Sequence, residues 1–289
     1  MNARIDSPIF ASPELRFASI PSGVRVPYMA SGAGEPLLFV HGSLCDYRYW
    51  NSQTAVLSQH FSCVSVSLSH YWPVDDAGSD SEFSMRAHVA QLAEFIVAMA
   101  MGPVHLVGHS RGGCVAFHLA RDYPDLVKTL TLADPGGPLA VDGRGEARLP
   151  PATTALRAKV AALIENGEIE AGLELFVDSV SMPGIWRKSP ASFRTMATAN
   201  ASTLPKQFRD PLPAYTRAAA GEVRCRTLLI AGEKSPRMYR DNVAQLAGWM
   251  AHVDKRSIAG ASHGMNVTHA AVFNRLILAF VGSARGARE

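Results

Sequence analysis

The sequence predicts an α/β fold: a mostly parallel eight-stranded sheet with helices on both faces and a helical block inserted between two of its strands. Three observations predict it. Short apolar runs alternate with longer stretches of helical periodicity along most of the chain, the pattern of strands joined by crossover helices. Leu37-Leu38-Phe39-Val40 is apolar at every position, which marks a strand covered on both faces. From Pro138 to Gly221 the helical stretches continue but no strand-like run appears, so this segment interrupts the alternation.

Leu15 to Ile20 and Val24 to Ala30 read as two strands joined by the turn Pro21-Ser22-Gly23. The third strand, Leu37 to Val40, ends in His41-Gly42-Ser43. Asp46 to His60 reads as a helix with Tyr47, Trp50 and Leu57 at its apolar positions. Cys63 to Leu68 alternates valine with serine, a fourth strand, and an acidic loop runs on to Ser84. Met85 to Met101 is the clearest helix, because Val89, Leu92, Ala93, Ile96, Met99 and Ala100 share one face. Gly102-Pro103 stops it. The fifth strand begins at Val104 and runs into Gly108-His109-Ser110-Arg111-Gly112, followed by a helix through Cys114 to Ala120. Leu126 to Leu132 forms the sixth strand and ends at Ala133-Asp134-Pro135.

In the inserted block, helices are expected at Thr153 to Asn166, Ile169 to Ser179 and Pro190 to Ala199. Breaks are expected at Gly167, at Met182-Pro183-Gly184 and at the prolines near 205 to 213. Thr227 to Ala231 resumes the strand pattern and leads into Gly232-Glu233-Lys234-Ser235-Pro236. A helix through Asn242 to Met250, a strand at Val253 to Ile258 and the loop Gly260-Ala261-Ser262-His263-Gly264 follow. The last helix carries Val272, Phe273, Leu276, Ile277 and Phe280 at helical spacing, and the tail from Ala284 to Glu289 is expected to fray. The expected organisation is a core of residues 1–137 and 222–289 with 138–221 as the inserted unit.

A length of 289 residues, 47% hydrophobic and 18% charged, fits a globular chain and argues against disorder. The net charge of +3 is small and scattered, so nucleic acid is not an expected partner. No apolar run reaches the length of a membrane span, and Met1 to Pro13 lacks the apolar stretch of a signal peptide. Cys45, Cys63, Cys114 and Cys225 are widely spaced, which suits reduced thiols and a cytoplasmic location. Neither a metal-ligand constellation nor a dinucleotide fingerprint is present in the sequence, so no metal and no cofactor is expected. The sequence does not fix an oligomeric state.

Gly-x-Ser-x-Gly between a strand and a helix is the pattern of a nucleophile elbow. The turn is sharp, and Gly108 and Gly112 lack the Cβ that would keep strand and helix apart. Ser110 then sits at the carboxyl edge of the sheet, with the Arg111 N–H at a helix N-terminus beside it. A serine that merely caps a helix would give the same five residues. Strand before, helix after and partners elsewhere in the chain favour the nucleophile.

Together, His41-Gly42-Ser43, Gly108-His109-Ser110-Arg111-Gly112 and Gly260-Ala261-Ser262-His263-Gly264 resemble the α/β-hydrolase fold family, roughly from Leu15 to Val281. The resemblance implies Ser110 as nucleophile, His263 as general base, an oxyanion hole from the backbone N–H groups of Ser43 and Arg111, and the helical block as a cap. Among the other histidines, His41 belongs to the oxyanion-loop motif and His105 and His118 read as structural. His60, His88 and His252 read as solvated, His269 is the nearest rival to His263, and His70 and His109 are candidates to line the pocket. Many members carry an aspartate after the seventh strand, where this chain has Ser235. Two carboxylates could replace it: Asp134, at the end of the sixth strand, or Glu233. Asp134 is favoured because it leaves a strand end where ligands bind in such sheets.

These residues imply a cofactor-independent serine hydrolase cleaving an ester or lactone through an acyl-enzyme. Dehalogenase and epoxide-hydrolase members use an aspartate nucleophile, so Ser110 argues against both. Hydrolysis of a C–C or amide bond on the same triad, or a non-catalytic small-molecule receptor of the same fold, are the alternatives. Leu44, Tyr71, Trp72, His109, Phe176, Met182, Trp186 and Met265 are the candidate pocket residues. They suit an apolar or aromatic small molecule, and no acidic or basic cluster selects a charged one.

Overall fold

All eight expected strands join one sheet: Arg16–Ser19 (β1), Arg25–Ser31 (β2), Pro36–Val40 (β3), Ser62–Val66 (β4), Val104–His109 (β5), Val127–Ala133 (β6), Arg226–Gly232 (β7) and Val253–Ile258 (β8). The computed structural model describes residues 14–73, 81–141 and 149–283. The readings made for Met1 to Pro13, for part of the acidic loop and for the tail from Ala284 lie outside these residues, as does 142–148 of the inserted block. The sheet order is β1-β2-β4-β3-β5-β6-β7-β8. β2 runs antiparallel to both β1 and β4, and every later pairing is parallel.

The helices are Asn51–Leu57 (α1), Met85–Ala98 (α2), Arg111–Asp122 (α3), Pro151–Glu165 (α4), Ile169–Val180 (α5), Ile185–Lys188 (α6), Ala191–Ala199 (α7), Thr203–Arg209 (α8), Arg217–Glu222 (α9), Arg237–Trp249 (α10), Met265–Thr268 (α11) and Ala270–Ser283 (α12). The apolar run of β3 divides by the two-residue period of a strand. Leu38 and Val40 belong to the same buried cluster as Leu92 of α2, Val115 of α3 and Val243 of α10. Leu37 and Phe39 join Trp50, Phe273 and Ile277 on the other face. At the edge, β8 exposes Lys255 and Arg256, charges that discourage pairing with another chain. No helix among the described residues is long and apolar enough to cross a membrane.

Three local expectations are corrected. The stretch Asp46 to His60 is not one helix. Asp46 accepts the Arg48 N–H at 3.1 Å and opens a 3₁₀ turn, Tyr47–Trp50, ahead of the shorter α1. In such a turn residues three apart share a face, which lets Tyr47 and Trp50 both go inward. His88 is fully buried rather than solvated, with Nε2 3.2 Å from the Ser69 carbonyl. Pro205 does not break the inserted block but sits in the first turn of α8, where a missing N–H costs no intrahelical bond.

The inserted helices have their own apolar cluster, in which Val160 and Ile164 of α4 meet Leu173, Phe176, Trp186 and Leu204. The last part of the block belongs elsewhere. α9 packs against α3 and α10, and Tyr215 is buried edge-on to Phe117 at 5.0 Å in the main core. Asn200 latches the inserted helices down: it donates to Asp46 at 2.8 Å and accepts the Trp72 N–H at 2.7 Å.

Candidate active site

Ser110 sits between β5 and α3 with φ 54 and ψ −122, a conformation that L-residues adopt only where the surroundings enforce it. Enforcement comes from close approach. A Cβ on Gly112 would lie 2.2 Å from the His41 carbonyl oxygen, and one on Gly108 2.5 Å from that of Gly112. The Ser110 N–H donates to Ala133 at 3.1 Å, and its carbonyl accepts from Gly113 and from Gly136, each at 2.9 Å. The turn is thereby tied to the end of β6.

Asp134 leaves that strand end with φ 42, its N–H held by Ile230 at 2.9 Å. Its carboxylate is fully buried. Oδ2 lies 3.1 Å from His263 Nδ1 and accepts the Ser235 hydroxyl at 2.5 Å. In the contact with His263 the ring Nδ1–H donates and the carboxylate oxygen accepts. Glu233 faces elsewhere: its Oε2 accepts the Gly260 N–H at 2.7 Å. The serine that stands where the resemblance would put an aspartate is therefore a hydrogen-bond donor to Asp134.

The His263 ring lies between two others. Tyr239 stacks on it at 3.9 Å with an interplanar angle of 21°, and His109 is tilted against it at 4.5 Å. His109 Nε2 donates to the His263 carbonyl at 2.7 Å. Its Nδ1 is buried without a partner among the described residues. Burial, and then the neighbouring His263, hold the His109 pKa well below its ordinary value, with the His263 carbonyl opposing. Burial, and then Asp134, push the Tyr239 pKa up, and the neighbouring Ser110 side chain opposes them. No Ser110–His263 hydrogen bond is formed in this arrangement, as is common before a substrate is bound.

His41 is held neutral at the third strand end. Its Nδ1 donates to the Gly42 carbonyl at 2.8 Å and its Nε2 accepts the Leu68 N–H at 3.1 Å. Burial lowers its pKa to about 4. Ser43 Oγ donates to Gln207 of α8 at 2.6 Å, which ties this loop to the inserted helices.

A cavity of about 660 Å³ opens over Ser110. Ser110, His263, Ser43 and Arg111 line it, together with Leu44, His109, Phe176 and Met182. Tyr71, Trp72, Trp186 and Met265 do not. Tyr71 packs on His41 at 4.6 Å, and Trp72 stacks on Tyr47 beneath the Arg48 guanidinium. Trp186 is buried among the inserted helices, its Nε1 donating to Glu170, and Met265 fills the core beneath α12. In each case the bulk read as a pocket wall is filling a protein interior. Sequence reasoning missed Tyr239 and the part played by Ser235. The helix was read from Asn242, whereas Pro236 in fact marks its start, and that proline was the available signal.

The chain is similar to known proteins at two levels. It is 31% identical to an uncharacterised protein of Mycobacterium tuberculosis over 127 residues, 44% of this chain and 36% of that protein. It is 28% identical to a soluble epoxide hydrolase of Corynebacterium over 113 residues, 39% of each chain. The matched stretch thus spans little more than a third of either relative. An esterase of Thermogutta terrifontis shares the fold with a TM-score of 0.75, at 20% identity over 94% of this chain and 99% of that one. The family model that matches residues 37–276 covers every loop of the site from His41 to His263. With that match, the sheet order and the strained elbow serine, the chain belongs to the alpha/beta hydrolase family.

Proposed function

We propose that the chain is a cofactor-independent serine hydrolase that cleaves an ester or lactone in a small-molecule substrate. Ser110 is the nucleophile, His263 the general base and Asp134 the acid that orients it. The backbone N–H groups of Ser43 and Arg111 form the oxyanion hole, and α4–α8 form the cap. The observation that carries this reading is that the strained Ser110 and His263 line one cavity while the buried Asp134 backs His263.

The chemistry follows from these groups. Ser110 Oγ attacks the substrate carbonyl as its proton passes to His263 Nε2. Asp134 offsets the imidazolium charge, and the two N–H donors hold the tetrahedral oxyanion, each worth roughly 3 kcal/mol in the barrier. Collapse returns the proton to the departing alkoxide and leaves an acyl group on Ser110. Water then attacks that ester by the same route in reverse, which frees the acid product.

A relative described as an epoxide hydrolase raises a second chemistry, but a family member of that kind uses an aspartate nucleophile and this chain has Ser110. The test is turnover of 4-nitrophenyl butyrate with labelling by a fluorophosphonate probe. Label should appear on Ser110 alone, and Ser110→Ala should lose both label and turnover. Turnover that survives in Ser110→Ala would overturn the reading.

A further inference from the structure

Among the described residues the cavity wall holds no aspartate or glutamate, yet it includes Arg111, Arg157 and Lys188. Arg111 is neutralised, since its guanidinium pairs with Asp210 at 3.0 Å. Arg157 is not. It projects from α4, half-buried, with its guanidinium 5.4 Å from the centroid of the Phe208 ring, and it has no carboxylate within ion-pair reach among the described residues. Burial pulls its pKa down, Tyr239 opposes that and Arg111 adds to it. A guanidinium nevertheless stays protonated. Among the described residues the cavity therefore contains a partly desolvated cation without a counter-charge, an arrangement that is costly unless an anion completes it. Arg157, Tyr239 and Ser110 line the same cavity, which places the guanidinium in the space that opens over the serine.

We propose that the substrate of this cavity is an ester or lactone carrying a carboxylate, and that Arg157 seats the carboxylate while the scissile carbonyl lies at Ser110. The planar fork of a guanidinium matches a carboxylate with two parallel hydrogen bonds. Leu156, Phe176, Val180 and Met182 line the same cavity and cover an apolar chain between the two ends. Lys188, exposed on α6, adds positive potential that solvent screens. The inference rests on the serine-hydrolase reading of the site. It departs from the apolar substrate that the sequence suggested, because Arg157 joins the cavity only when α4 packs on α5 and α8.

The test uses 4-nitrophenyl hemiesters of straight-chain diacids from glutarate to suberate, each paired with its methyl-capped diester. At one chain length or more, kcat/KM should favour the anion by about tenfold. Arg157→Gln should bring that ratio close to one, and Arg157→Lys should keep part of it. The ratio is taken within one preparation, so a loss of folded protein cancels. A wild-type ratio at or below one for every length, or an unchanged ratio in Arg157→Gln, would overturn the proposal. If no ester is turned over, the hydrolase reading fails by itself, and calorimetry with octanoate against 1-octanol decides the anion seat. Octanoate binding that weakens about tenfold in Arg157→Gln supports it, and equal binding in the two proteins sinks it.

Discussion

Asp134 and Ser235 act as a pair. Two carboxylates facing one imidazole would repel each other, whereas a serine at position 235 donates to the single carboxylate present. Mutants can rank these residues. Asp134→Asn should lower kcat by up to ~10⁴-fold with a small change in KM, on the precedent of serine proteases. Glu233→Gln should leave kcat within about twofold, because a charged surface bond to Gly260 is all it loses. Ser235→Ala should fall between them, at roughly tenfold, since it removes one donor from a buried carboxylate. A larger loss in Glu233→Gln than in Asp134→Asn would transfer the acid role. Tyr239 is a positioning residue of the same cluster. Tyr239→Phe keeps the stack on His263 and removes the hydroxyl beside Ser110, so kcat should stay within about tenfold; Tyr239→Ala removes both and should cost more in kcat than in KM. Equal kinetics in the two variants would show that the stack contributes nothing.

Between elements, the inserted helices are held to the sheet by polar contacts at two loops. Ser43 Oγ bonds Gln207 of α8, and Asn200, just after α7, bridges Asp46 and the Trp72 N–H. Asp46 is fully buried, and Arg48 meets it through Nε at 2.8 Å and Nη2 at 2.7 Å. Asn200→Ala would leave a buried carboxylate one donor short and strand a backbone N–H, a cost of about 1–3 kcal/mol. The expected result is a lower urea midpoint together with faster proteolysis between α4 and α8. A mutant with the wild-type midpoint and the wild-type cleavage pattern would show that the latch does not hold the inserted helices.

For the molecule as a whole, buried histidines contribute to the response to acid. Burial lowers His41 and His118 from an ordinary value of 6.5 to about 4, and it holds His88 and His109 well below that ordinary value. The unfolded chain takes up protons at these rings near pH 6.5, while in the folded chain His41 and His118 resist until near pH 4 and His88 and His109 resist well below their ordinary value. Between those values the unfolded state binds more protons, so stability rises with pH and is fully present above about pH 7. Each such ring contributes at most about 1.4 kcal/mol per pH unit in that window. Urea midpoints at pH 7.5 and pH 5.0 should differ accordingly. In His118→Gln the difference should shrink by roughly 1–2 kcal/mol, and an unchanged difference would remove His118 from the account.

The eight strands and the elbow were legible because their signals are local. An apolar run reports burial on both faces through its own composition, and Gly-x-Ser-x-Gly reports a close approach that only glycine permits. The His263 loop was legible for a similar reason, since flanking glycines and a following helix mark it. Tertiary structure alone decided what the bulky side chains do. Trp186 and Met182 are both large apolar residues of the inserted block, yet one fills an interior and the other lines the cavity. No periodicity separates them, because the difference lies in which neighbouring helix covers them. His88 and Arg157 followed the same rule: a polar residue on a helix gives no sign of what will pack against it. The contact between His263 and Asp134 spans 129 residues of chain, and that between Asp134 and Ser235 spans 101. Folding brings those positions together across the ends of β6, β7 and β8, and sequence spacing carries no record of the distance.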